Sequence, residues 1–211
     1  MVDLSLYLAF VVAAAALCVA PGPDMMFIVA MGGRGGPATG VLAAVGVACG
    51  ALVHALAAMS GLSALFAHLP VLYHVLRWAG AAYLVYLAVK AFRDHGTDGA
   101  GEVTLTGPDP RRLRAFWHGM VTNLLNPKVI LFNIAFLPQF VNPSLGHVAI
   151  QFLILGLTLV LLGLGVDATV GALAGRLAAL LRRSRRFARG LNIVSGSVFA
   201  ALAVRLVTAP E

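Results

Sequence analysis

The chain has 211 residues, 60% of them hydrophobic and 11% charged, with a formal net charge of +7. Soluble domains run at about 45–50% apolar and about 25% charged. Composition therefore excludes a soluble enzyme, a disordered chain and a small secreted domain stapled by disulfides. A spanning helix takes roughly 20 apolar residues, so six would use about 120. That is close to the apolar total here, and the mean hydropathy of +0.93 agrees.

The basic balance could suggest nucleic acid as a partner. The basic residues, however, stand between apolar blocks, so nucleic acid is rejected. Cys18 and Cys49 lie in separate apolar runs without a CxxC pair, which supports neither a redox pair nor a zinc framework. The start, Met1-Val2-Asp3, has no basic stretch, so a cleaved signal peptide is not expected.

Six apolar blocks follow one another over residues 4–31, 39–67, 71–91, 115–141, 148–174 and 187–207. They predict an all-α integral membrane protein of six transmembrane helices. The first and fourth are long for single spans, and proline interrupts both. Arg34, the five basic residues from Lys90 to Arg114 and the six from Arg176 to Arg189 fall in alternate loops, 12 in all, against two (Arg77 and Arg205) on the other side. The positive-inside rule then places the basic loops in the cytoplasm and both termini in the periplasm. Residues 94–110, rich in Gly, Asp, Thr and Pro, read as a cytoplasmic linker. The expected organisation is a three-helix repeat over 1–93, a linker over 94–112 and a second three-helix repeat over 113–211. The arginine cluster RRSRRFAR at 182–189 either touches anionic lipid headgroups or only marks topology.

Three spans on each side of a linker require the second half to be inverted. Inverted repeats mark transporters, whose sites form where broken helices meet near the midplane. Pro21-Gly22-Pro23-Asp24 interrupts the first span and Asn126-Pro127-Lys128 the fourth, and a shift of 104 residues superposes Pro23 on Pro127 and Asp24 on Lys128. Proline suits the first position of a helix, with Gly22 and Asn126 acceptable before it. Each motif thus predicts a stop followed by a new start. The freed backbone N–H groups are tolerated only against protein or a wet cavity, and they suit a carboxylate.

Asp24 would occupy the first turn of its half-helix, where the dipole favours an anion. Lys128 would occupy the matching place, where a cation is disfavoured. Its expected partner is Asp24, a substrate carboxylate, or both in turn. A static Asp24–Lys128 pair locking the halves together is the competing reading. Asp167 in the fifth span either carries a coupling proton or faces a cytoplasmic cavity, or else it pairs with Arg176 or snorkels toward the inner surface. His54 could relay protons or simply bond a neighbouring helix. Asn123, Asn133 and Gln139 flank the second break and either line the same cavity or join helices. Gly46-x-x-x-Gly50 and Gly171-x-x-x-Gly175 predict close helix approach. The glycines at 32–40 lack the GK[ST] of a Walker loop, so transport must draw on an ion gradient or a partner protein. No cofactor is expected.

PGPD at 21–24, the following GGRGGPATG, VGVACGALVHALAAMSGL, RWAGAAYLVYLAVKAFR and LLNPKVILFNIAFLPQFV together resemble the LysE/RhtB family of bacterial amino-acid exporters. Spans five and six match it in layout more than in motif. The resemblance implies an inner-membrane secondary carrier that exports amino acids or close derivatives, driven by the proton gradient. Pro21, Gly22, Pro23 and Asp24 match the first family motif, and Asn126, Pro127 and Lys128 the second. The chain departs from the pattern at Asn133, where members carry an aromatic or aliphatic residue, and at Ala51, where they often carry a polar one.

The reading of the residues agrees with this. Lys128 and the half-helix N-termini would suit a carboxylate, and Asp24 an ammonium. The expected partners are an amino-acid substrate, protons or another coupling ion, and membrane lipids; a homodimer is left open. Metal or small-cation efflux through Asp24, Asp167 and His54 is the alternative, weakened by the repulsion of Lys128. A thiol oxidoreductase built on Cys18 and Cys49 is a third reading, without a motif to support it.

Overall fold

A computed structural model describes residues 2–62, 70–93 and 112–208. The described residues are helical apart from short connections. In chain order they form α1 (Leu4–Val19), α2 (Pro23–Gly35), α3 (Pro37–Ala57), α4 (Pro70–Arg93), α5 (Arg112–Leu124), α6 (Pro127–Leu131), α7 (Val148–Ala172), α8 (Ala174–Arg183) and α9 (Arg185–Thr208). A π-helical turn, Ala58–Leu62, extends α3. A second, Phe132–Phe136, and the 3-10 turn Leu137–Phe140 extend α6. The expected linker lies outside the described residues, apart from Arg112.

Four helices are long and apolar enough to cross a membrane singly: α3, α4, α7 and α9. Two further spans form if each bent pair counts as one. Leu4–Val19 and Pro23–Gly35 meet at 48°, and Arg112–Leu124 and Pro127–Phe140 at 47°. Both bends fall at the proline motifs. The outer surface is apolar, with Leu4, Leu8, Val12, Val71, Trp78 and Leu161 each more than half exposed. Water would penalise such a surface, whereas lipid does not. The chain is an all-α integral membrane protein.

Local chemistry explains the helix ends. Asp3 caps α1, its carboxylate accepting from the amides of Ser5 and Leu6. The Ser5 hydroxyl, then the Leu6 amide, hold that carboxyl below its ordinary pKa. Pro23, Pro37 and Pro127 each open a helix at a first-turn position where no N–H is needed. Gly36, at φ +81°, makes the turn between α2 and α3 that an L side chain resists.

Packing is closest where side chains are smallest. A Cβ on Gly46 would strike the Phe116 carbonyl, and one on Gly119 the Ala43 carbonyl, so α3 and α5 touch backbone to backbone. A Cβ on Gly40 would lie 2.5 Å from the Gly171 carbonyl oxygen, which brings α3 against α7. Of the two GxxxG motifs, Gly46, Gly50 and Gly171 are in close contact, whereas nothing lies within 4 Å of a Cβ on Gly175. One core gathers Phe10, Phe132, Phe136 and Phe140 with residues of α7 and α9. Rings of 132, 136 and 140 share one face, with neighbouring centroids at 4.8 and 5.2 Å. A second core joins Phe27, Ile28 and Met31 to α3 and Ala115.

Candidate functional site

A cavity of about 70 Å³ lies between the two bends. It is walled by the end of α1, the start of α2, the middle of α3, the junction of α5 with α6, and the middle of α7. Room for several waters follows from that volume. Gly22, Asp24, Asn123, Asn126, Lys128 and Asp167 all line it. Pro23 and Pro127 are exposed helix starters at its rim and do not line it.

The first bend leaves the C-terminal carbonyls of α1 without helical partners. Ala20 donates its N–H back to Ala16, but Pro21 and Pro23 have no N–H to continue the ladder. Lys128 supplies the missing donors. Its Nζ donates to the Leu17 carbonyl at 2.8 Å and to the Ala20 carbonyl at 2.7 Å. The stem runs across Gly22, where a Cβ would sit 3.5 Å from the lysine Cδ and Nζ. The Phe199 ring lies 5.6 Å away. The helix C-terminus, negative by its dipole, thus receives the cation that is disfavoured at the start of α6.

Asp24 is 9% exposed in the first turn of α2. Its Oδ2 accepts from the Asn123 Nδ2 at 2.8 Å. Asp24 Oδ1 and Asn123 Oδ1 are both buried and have no hydrogen-bond partner. Asn126 caps α6, its Oδ1 accepting from the Lys128 amide at 3.0 Å. No ion pair within 4 Å joins Asp24 to Lys128, so the static lock is not formed. The reason is geometric: the α1 carbonyls reach the ammonium first.

Asp167 faces the cavity from α7 and makes no ion pair with the exposed Arg176. His54 does not line the cavity; its Nε2 lies 3.4 Å from the Asn123 carbonyl. Asn133 does not line it either. That side chain is buried and donates to the Val129 carbonyl one turn earlier, at 2.9 Å. Gln139 is also away from the cavity, both its polar side-chain atoms buried and unpartnered. Of the two departures from the family pattern, Ala51 lies on the cavity wall and Asn133 does not. Among the described residues, no three His, Cys, Asp or Glu side chains gather where they could hold a metal ion.

Sequence reasoning did not anticipate the Asp24–Asn123 bond, which joins residues 99 apart. Nor did it anticipate α8, a separate amphipathic helix ended at Ser184. Its clue was the spacing of Leu177, Leu180 and Leu181 against Arg176, Arg182 and Arg183.

A family profile described as LysE type translocator matches residues 15–209. An uncharacterized membrane protein of Pseudomonas aeruginosa is 35% identical, over 90% of this chain and 88% of its own. The homoserine/homoserine lactone efflux protein of Salmonella typhi is 33% identical, over 78% of this chain and 77% of its own. The leucine efflux protein of Klebsiella pneumoniae is 31% identical, over 96% of this chain and 94% of its own. No solved structure matches the chain. Proteins of this kind are transporters and not enzymes, and this chain belongs to the family of LysE-type translocators.

Proposed function

We propose that the protein exports amino acids or close derivatives across the bacterial inner membrane as a secondary carrier driven by the proton gradient. The observation that carries this reading is the cavity at the two helix bends, where Asp24, Lys128 and Asp167 share one buried space. Charges inside a membrane are costly, at least about 2.5–3.5 kcal/mol each on insertion scales, and so are kept where they act. Relatives named for leucine, homoserine and homoserine lactone support the substrate class. All three compounds carry an α-amino group, while the lactone has no free carboxylate.

Alternating access fits the helix pairing. The second span packs on the fifth (α3 on α7) and the third on the sixth (α4 on α9). The first part of each broken span also packs on the second span of the other half (α1 on α7, α5 on α3). A two-fold axis in the membrane plane, relating residues 1–93 to 113–211 across the linker, would produce that pattern. Asp167 is the proton carrier in this scheme, since it lines the cavity without a fixed cationic partner. Basic loops face the cytoplasm, both termini face the periplasm, and the arginines of 182–189 meet anionic headgroups.

The test is efflux from proteoliposomes loaded with labelled amino acids, leucine and homoserine included, under an imposed pH gradient. Gradient-dependent efflux of at least one amino acid is expected. No efflux across a full panel would overturn the reading.

A further inference from the structure

We propose that Asp24 and Asn123 together form the subsite for the substrate's ammonium group, and that Lys128 takes no part in holding a carboxylate. This deepens the amino-acid reading and rests on it.

The orientation of the Asn123 amide follows from its neighbour. Asp24 Oδ2 can only accept while ionised, so the Asn123 NH2 must face it, as the 2.8 Å bond shows. That turns Asn123 Oδ1 away as a second acceptor, with Asp24 Oδ1 the first. Both oxygens are buried, both lack partners, and both residues border the cavity. Asn123 is only 2% exposed, so bulk water does not solvate it. Buried acceptors without donors are unfavourable, so two that border a cavity are completed by its water or by a ligand.

Among the described residues, no protein group bonds these two oxygens. Two of the three Lys128 donors are held by Leu17 and Ala20, and its Nζ stays beyond ion-pair distance of Asp24. Asn126 is a second amide beside the Asp24 carboxylate, and Oδ1 of that carboxylate still remains without a bond. A ligand that displaces cavity water from these two oxygens must offer at least two N–H donors and, facing Asp24, a positive charge. A primary ammonium has three donors and one charge. Turning Lys128 to a substrate carboxylate would instead orphan the two α1 carbonyls that it caps. The side chains of the cavity are thus set to read the ammonium before the carboxylate.

The experiment uses the intact chain in proteoliposomes. It takes the amino acid with the fastest efflux in the panel, its amide (ammonium kept, carboxylate removed) and its N-acetyl derivative (carboxylate kept, ammonium removed). The amide should compete within about threefold of the parent. The N-acetyl compound should be weaker by roughly 10-fold or more, the value of a hydrogen bond to a charged group. Asn123→Leu should weaken parent and amide alike, and Asn123→Ser serves if the leucine variant does not fold. Equal competition by the N-acetyl compound, or loss of competition by the amide alone, would overturn the subsite while leaving amino-acid efflux intact. Thermal unfolding supplies a readout independent of transport. The amide of that same amino acid should raise the unfolding temperature and its N-acetyl derivative should not; no shift with the amide would equally sink the proposal.

Discussion

Lys128 Nζ bonds the carbonyl oxygen of Ala20 at 2.7 Å, so the lysine of the second bend closes the broken helix end of the first. The two interruptions are parts of one joint. A proline-made gap in α1 leaves acceptors without donors, and a cation from the opposite half fills it.

Lys128→Met should therefore act first on stability. It leaves the Leu17 and Ala20 carbonyls short of donors, at about 1–3 kcal/mol for each buried group, partly offset by removal of a buried charge. A net loss of about 1–3 kcal/mol is expected, read as a lower unfolding temperature in detergent, with Lys128→Arg recovering part of it. Unchanged stability with lost transport would instead favour a lysine that binds substrate.

Asp24→Asn keeps an oxygen for the Asn123 amide, so the fold should survive. Loss of the charge should raise KM for the transported amino acid roughly 10–100-fold, the equivalent of a charged hydrogen bond of about 1.5–3 kcal/mol. Efflux kinetics at several internal substrate concentrations check this.

For Asp167→Asn, substrate exchange and uphill transport should separate. Exchange of labelled for unlabelled amino acid needs no net proton movement and should persist. Accumulation driven by a pH gradient should fall to background in the same vesicles. Loss of both together would make Asp167 part of the binding site.

Gly46→Ala places a methyl group against the Phe116 carbonyl. Neither backbone can yield without separating α3 from α5, so about 1–3 kcal/mol of stability should be lost. Gly175→Ala, in open space, is the matched control and should leave the unfolding temperature unchanged.

Orientation can be read with single cysteines at Leu145 and Gly190, in a chain whose Cys18 and Cys49 are replaced by alanine. Leu145 follows the fourth span and Gly190 lies near the start of α9. A membrane-impermeant thiol reagent should label Leu145→Cys in intact cells, and Gly190→Cys only after lysis.

What the sequence determined by itself was whatever depends on composition and on the local backbone. Sixty per cent apolar residues in six blocks specify a membrane protein, because a polar solvent could not hold them. Prolines at 21, 23 and 127 specify the bends, because a residue without an N–H ends one ladder and opens another wherever it stands. Glycines at 46 and 171 marked two helix contacts for the same local reason. The choice of partners was left to the tertiary structure. Lys128 has Asp24, Asp167 and the α1 carbonyls around one cavity, and only the packed positions of α1 and α6 select the carbonyls. The same packing pairs Asp24 with Asn123 and leaves one oxygen of each without a donor. It also turns His54 and Asn133 away from a space they could equally have lined. A hydrogen bond is decided over a few tenths of an ångström between segments 99 or more residues apart, a precision that no local pattern encodes.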